Sequence, residues 1–345
     1  VRNPLRALAT FVEMLHEVGV KRPSEHIAAV RSWGTITFAV KRTPLTTVEC
    51  DSVRAFCDRL FFDPLLLPQL DPAARNRYNI LNDESFFQLV DAILSDKREE
   101  LYAAYDFNIR PADDNRPYFS QFLRWRAVPR MKELFGQHAF PFLEIGSFII
   151  ALTLVQISVL AILLILLPLA RKDVHFRGLS RTLLYFGALG LGYMFVEIVL
   201  IQRFILYLGH PLYAAGAVIG AMLIFSGAGS LFSSRVKDAA VAMRRTAGLV
   251  ATIIALYAIV ITQILQYSIG LDESMKFLLS CALIAPLAFV MGIPFHLGVR
   301  NIAQNSGAVA WAWGINGCMS VIAAPLATLI AVEAGFVAVM MCATG

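Results

Sequence analysis

LLYFGALGLGYMFVEIVLIQRFILYL, residues 183–208, is apolar almost throughout and carries a full charge, Glu197, near its middle. At a rise of ~1.5 Å per residue, Glu197 lies about 16 Å from the end of such a helix, deep in a ~30 Å hydrocarbon core. A carboxylate at that depth costs several kcal/mol unless it is paired or faces a polar cavity. Tyr193 falls one turn earlier on the same helical face, whereas Arg203 falls about 120° round and is near enough to the helix end to snorkel. Glu197, Tyr193, Gln202 and Arg203, joined by Asn316 of a later span, therefore form a candidate intramembrane polar site for a cation or a proton. The competing reading is a structural clamp to a neighbouring span.

Apolar runs of similar length follow one another outward from this stretch. Spans are expected at about 145–169, 183–208, 212–233, 247–269, 277–298 and 309–331, with a seventh apolar run from Gly335. The chain is 57% hydrophobic and 16% charged, and its charges concentrate before residue 145 and between the runs. A multi-pass protein of a bacterial inner membrane, with the lipid bilayer as its first partner, is the expected class. Arg171, Lys172, Arg177 and Arg181 follow the first span; Arg235, Lys237, Arg244 and Arg245 follow the third; Arg300 closes the fifth. The positive-inside rule puts these on the cytoplasmic side and residues 1–144 on the outer face. Tyr118, Phe119, Phe122 and Trp125, followed by Arg126, Arg130 and Lys132, suit a membrane interface and pull the other way.

Residues 1–120 read as an α/β region and 121–144 as an interfacial connector to a membrane domain at 145–345. Leu8, Phe11, Val12 and Leu15 form a helical stripe within Leu5–Val18. His26–Arg31 and Thr35–Arg42 are short strands joined at Ser32-Trp33-Gly34, a hairpin. Thr46 or Thr47 caps a helix to about Leu60, with Val53, Phe56 and Leu60 as its inner face. A proline-rich loop (Pro64, Pro68, Pro72) precedes a helix near Glu84–Leu94. Helix, hairpin, helix matches the last third of an α/β domain, since a complete doubly wound domain needs several βα units.

The sequence pI near 9.0 reflects basic residues beside the spans, and no nucleic-acid partner is expected. Five cysteines with no CxxC and no Cys/His cluster argue against a disulfide scaffold or structural zinc; Cys50 and Cys57 read as core. The chain starts with Val1 and stops shortly into the last apolar run, so both ends read as cut from a longer protein.

Asp113, Asp114 and Arg116, with Trp33, are the candidate site of the soluble part. Paired carboxylates suit proton transfer, against the simpler reading of a capped turn before Pro117. Trp33 either walls a pocket or packs the sheet. Gly216–Gly220 and Ser226-Gly227-Ala228-Gly229-Ser230 carry small residues at close-packing spacing, and Asn316 is read chiefly as an interhelical hydrogen-bonding group. Pro294 followed by His296 near a span end is only weak evidence for a broken helix end of the kind that forms substrate sites in transporters.

Gly192-Tyr193-Met194-Phe195-Val196-Glu197-Ile198, Ile201-Gln202-Arg203-Phe204 and Leu208-Gly209-His210-Pro211-Leu212-Tyr213-Ala214 together resemble the membrane-embedded, spermidine-synthase-like proteins of bacteria. Met291-Gly292-Ile293-Pro294-Phe295-His296 and Trp311-Ala312-Trp313-Gly314-Ile315-Asn316-Gly317 are similar to later span signatures of that family. Asp113-Asp114-Asn115-Arg116-Pro117-Tyr118-Phe119 resembles its DDRPYF element with Asn115 inserted, and Trp33-Gly34-Thr35-Ile36 its late Trp-Gly strand. The resemblance implies the C-terminal part of a Rossmann-like, methyltransferase-type α/β domain followed by an α-helical polytopic membrane domain. It implies aminopropyl or methyl transfer to an amine with an S-adenosylmethionine-type nucleoside in the full-length protein. No Gly-rich cofactor loop occurs in residues 1–144, so this chain alone is expected to bind no cofactor and no metal, and its catalytic residues stay unassigned. The alternative is a transporter-like or accessory unit with a vestigial α/β domain, working alone, as a homo-oligomer or with other membrane subunits. The Gly192, Glu197, Arg203 pattern would place residues 183–340 in the second half of a duplicated unit.

Overall fold

The structure is a computed structural model that describes residues 2–124, 127, 129, 145–170 and 179–344. Trp125, Arg126, Arg130, Lys132, Arg171, Lys172 and Arg177, on which the interfacial and orientation readings partly rest, lie outside the described residues. The chain divides into two compact units, one of Val1–Asp113 with Pro117–Glu144 and one of Asp114–Arg116 with Ile145–Gly345.

The first unit is layered. Helix α1 (Arg2–Glu17) presents Leu5, Leu8, Val12 and Leu15 to a core with Ile27 and Ala29 of the sheet and Phe86, Val90 and Ile93 of α3 (Ser85–Leu94). Strands β1 (Ile27–Arg31), β2 (Ile36–Val40) and β3 (Asp63–Leu66) form one antiparallel sheet in the order β2-β1-β3. The expected hairpin is therefore present, with Arg31 opposite Ile36. Between β2 and β3, α2 (Thr47–Leu60) covers the other face, packing Cys50 against Ala28 and Leu67. A short α4 (Arg98–Ala104), which the sequence reading does not anticipate, follows α3, and Arg124 donates to the Tyr102 and Tyr105 carbonyls at its end.

Two expectations need correction. The inner face of α2 is only partly as expected: Val53 packs against the core, but Phe56 and Leu60 are each 41% exposed, and the fully buried positions are Cys50 and Cys57. Cys50 packs there against Ala28 and Leu67, with Leu45, Val53 and Leu70 completing the cluster, so the seam is filled without Phe56 and Leu60. The proline-rich segment is not all loop, because Asp63–Leu66 pairs with β1. Pro64 is tolerated there since β3 is an edge strand, where a missing N–H breaks no ladder bond. The sheet among the described residues is wholly antiparallel, so a helix–sheet–helix layering is present without a parallel doubly wound core.

Asp63 organises the segment that follows. It is fully buried beside Arg31, whose Nη2 donates to Oδ2 at 3.0 Å. The same carboxylate accepts the backbone N–H groups of Arg77, Tyr78 and Asn79 at 3.0, 2.8 and 2.8 Å. Arg31 in turn donates to the Arg75 carbonyl and to Asn76. A buried pair contributes little against an apolar isostere, but removing one partner strands the other charge.

The second unit is helical: α5 (Ile145–Ala161, continued by a π turn at Ile162–Leu166 and by Leu167–Ala170), α6 (Leu179–Leu208), α7 (Pro211–Ser233), α8 (Ala239–Tyr267), α9 (Glu273–Ile302), α10 (Ser306–Ala334) and α11 (Phe336–Cys342). Six stretches are long and apolar enough to cross a membrane: Phe148–Leu169, Leu179–Leu208, Pro211–Ser233, Val241–Tyr267, Glu273–Ile302 and Ser306–Ala334. They match the expected spans to within a few residues and suggest a multi-pass membrane protein. Helix α7 packs along α9 and α6 along α10, with α8 on α9 and α5 on α10. Arg300 donates to the Ser233 and Val236 carbonyls, closing the end of α7.

Two tests address the first unit. Asp63→Ala should destabilise it by about 3–5 kcal/mol, with hydrogen exchange showing lost protection first at Arg77, Tyr78 and Asn79. The cap of α2 should be acid-sensitive. Thr46 and Glu49 form a capping box, and the Lys41 hydrogen bond, with those from Thr46, holds the Glu49 carboxyl well down, at about 2. A lowered folded-state value means the contribution is complete above the ordinary 4.5 and is lost as pH falls through about 2. Titration of the Glu49 carboxyl should show a midpoint near the lower value, which Lys41→Met should raise.

Candidate functional site

Backbone contact between helices decides where space is left in the membrane unit. A Cβ added at Gly229 would run into the Phe289 carbonyl, and one at Gly292 into the Ser226 carbonyl, so α7 and α9 cross with their main chains touching. Helices α6 and α10 meet as closely, since a Cβ at Gly190 would stand 3.0 Å from Asn316 Nδ2 and 3.1 Å from Ser320 Oγ. Asn316 Nδ2 donates to the Phe186 carbonyl at 3.1 Å, and Ser320 Oγ to that of Gly190 at 3.4 Å. Small residues letting backbones approach, with side-chain hydrogen bonds between spans, are how helices associate where no hydrophobic drive operates.

Between these crossings lies a cavity of about 570 Å³. Tyr193, Ser226, Ser230, Trp313, Asn316 and Ser320 supply its polar and aromatic wall, and Gly190, Gly227 and Gly292 its backbone wall. Tyr193 and Ser226 hydroxyls stand 3.4 Å apart, joining α6 to α7. Tyr193 lies at the middle of α6 and Asn316 within the first half of α10, so the cavity sits at mid-span depth. A largely apolar pocket with a few converging hydroxyl and amide groups is the usual form of a small-molecule site.

The predicted intramembrane residues separate into three places. Tyr193 and Asn316 line the cavity. Glu197 lies one turn beyond Tyr193, within its electrostatic reach, half-buried and with no hydrogen-bond or ion-pair partner among the described residues. Gln202 is half-buried and also takes no hydrogen bond among them. Arg203 is 5% exposed and turned away from Glu197: it donates to Thr262 Oγ1 of α8, with its guanidinium 5.9 Å from the centre of the Phe336 ring. Arg203 makes no pair with Glu197; the two are about 120° apart on the helix, and α8 and α11 claim the arginine.

The soluble candidates divide as well. Asp113 and Arg116 are bridge residues around a turn at Asp114-Asn115. Asp113 belongs to the first unit, whereas Asp114, Asn115 and Arg116 pack with the membrane unit. Asn115 accepts the Phe336 N–H on its carbonyl at 2.9 Å and the Val337 N–H on Oδ1 at 2.8 Å, capping α11. A side chain at Gly335 (φ +88°) would collide with Asn115. Trp33 neither walls a pocket nor packs the sheet; it is 94% exposed at the hairpin tip, which the tight Ser32–Thr35 turn projects outward.

One further expectation fails: Gly216 and Gly220 meet nothing within 4 Å, unlike Gly229. Helix α9 runs unbroken through Pro286 and Pro294, so Pro294 and His296 mark no broken end. Ser226, Ser230, Ser320 and Trp313 are cavity residues the sequence reading did not assign. The signal was present: Ser226/Ser230 and Asn316/Ser320 are each spaced by four, placing polar groups on one face of an apolar span.

No family model, curated protein or solved structure matches this chain.

The crossing predicts its own mutational pattern. Gly229→Ala or Gly292→Ala should lower stability by about 1–3 kcal/mol or more through overpacking. Gly216→Ala should stay within about 0.5 kcal/mol, as read by thermal unfolding in detergent micelles.

Proposed function

We propose that this chain is a transporter-like membrane binding unit that takes a small amine-bearing molecule into the cavity between α6, α7, α9 and α10. The observation that carries this is the mid-span cavity, with hydroxyl and amide groups converging on it from three of those helices. Glu197 does not line the cavity, but half-buried and unpaired among the described residues one turn beyond Tyr193, it is the negative charge nearest along α6 to the cavity wall. Ionisable groups at such depth face ion and substrate pathways far more often than they serve packing. Apolar and aromatic walls take the methylene part of an amine, and Tyr193, Ser226 and Asn316 accept its N–H groups.

The resemblance to membrane-embedded, spermidine-synthase-like proteins supports an amine as the ligand class and a bacterial inner membrane as the location. Aminopropyl or methyl transfer requires a nucleoside-binding Gly-rich loop, and residues 1–144 contain none. Binding and passage of the amine is therefore the reading assigned to these residues, with the lipid bilayer as the environment.

Glu197→Gln tests the reading. Binding of spermidine, used as the probe, to the reconstituted chain should weaken roughly ten- to a hundredfold, the equivalent of losing about 1.5–3 kcal/mol of charge-assisted hydrogen bonding. The melting temperature should hold. Unchanged spermidine binding, or a variant that fails to accumulate, would favour a structural clamp.

A further inference from the structure

A second pocket opens at the other end of the membrane unit, where α6 and α8 finish. It has a volume of about 110 Å³ and is lined by Asp114, Arg203, Tyr207, Thr262, Gln266 and neighbouring apolar side chains. Arg203 and Thr262 each lie within two turns of their helix ends, so the pocket sits near headgroup depth, on the side away from Arg235, Arg244 and Arg300.

Its two charges are placed unusually. Arg203 is 5% exposed, its Nε is buried without a hydrogen-bond partner, and Thr262 is its hydrogen-bond partner among the described residues. Most of the guanidinium fork is thus desolvated and unspent, although an arginine this deep is normally held by several acceptors. Asp114 is exposed on the lining of the same pocket, within electrostatic reach of Arg203 yet in no direct ion pair with it among the described residues. Gln266 Nε2 donates to one Asp114 oxygen at 3.3 Å, leaving the other without a hydrogen bond among them. The Asn115 cap on α11 fixes the turn, and Tyr207 is held by its hydroxyl on Ser268 Oγ at 2.9 Å, so the walls are rigid.

Two opposite charges on the lining of one small pocket, in no direct ion pair among the described residues, match a ligand that carries both. The geometry points to a binding site for a small zwitterion, with its carboxylate on Arg203 and Thr262 and its ammonium on Asp114. A carboxylate satisfies the guanidinium fork in the bidentate manner that arginine favours. The ammonium gives Asp114 the direct ion pair that Arg203 does not make with it among the described residues. A volume of about 110 Å³ accommodates the charged ends of an amino acid of alanine size. The site is separate from the mid-span cavity and does not depend on the amine reading of Glu197.

The test uses the full chain in lipid nanodiscs with L-alanine, acetate and methylammonium as probes, read by calorimetry. L-alanine should bind saturably, and acetate and methylammonium at least tenfold more weakly. Asp114→Asn, an exposed change with no folding burden, should weaken L-alanine at least tenfold and bring acetate level with it. Arg203→Lys should weaken L-alanine by removing the fork while keeping the charge, and Glu197→Gln should leave it unchanged. Absence of saturable L-alanine binding, equal affinity for acetate and L-alanine in the unmodified chain, or undiminished L-alanine binding by Asp114→Asn would each overturn the proposal. Any of these would leave a water-bridged structural contact.

Discussion

Main-chain contact between spans is the constraint on which the membrane unit depends. Where Gly229 meets Phe289 and Gly292 meets Ser226, no side chain separates α7 from α9, and Gly190 allows the same between α6 and α10. Helices pinned this closely at their crossings diverge elsewhere, and the glycines and serines that allow the crossings leave space there beside larger apolar and aromatic side chains. The cavity is thus a consequence of the packing. Its polar lining follows too, because the groups that hydrogen-bond across the crossings, Asn316 and Ser320, stand at its wall.

The same logic explains why one charged span holds three separate polar positions. Tyr193 and Glu197 share one face of a single helix and Arg203 lies about 120° round from Glu197, so the three meet different neighbours. Tyr193 meets Ser226 of α7, and Arg203 meets Thr262 of α8 and Phe336 of α11. Glu197 is left without a partner among the described residues. The Arg203 face ends at a turn, Asp114–Arg116, whose sequence neighbours on both sides belong to the other unit. Asn115, which interrupts an otherwise familiar motif, serves there as the cap of α11.

Much of this was legible in the residues. Long apolar runs, basic connectors and the strand–turn–strand pattern around Trp33 located the spans and the hairpin, because length and period are local properties. What was not legible depended on partners distant in sequence. Whether Gly216 or Gly229 makes the close crossing cannot be read from spacing, since both sit in equally small-residue surroundings. Nothing in the sequence pairs Arg31 with Asp63, 32 residues apart, until β3 places Asp63 beside β1. Phe56 and Leu60 formed a plausible inner stripe with Val53, yet Leu45, Leu67 and Leu70 complete the cluster around Cys50 and Ala28 without them.

The central claim is that the mid-span cavity is a ligand site rather than a packing defect. Cysteine accessibility at Ser226 tests it most directly, in a version of the chain whose native cysteines are replaced and with membranes kept intact. A small water-soluble thiol reagent should modify Ser226→Cys readily, far faster than a cysteine at the fully buried Ile284, and spermidine should slow that reaction. If Ser226→Cys reacts no faster than the Ile284 control, or if spermidine leaves its rate unchanged, the cavity is closed space within the bundle and the account fails.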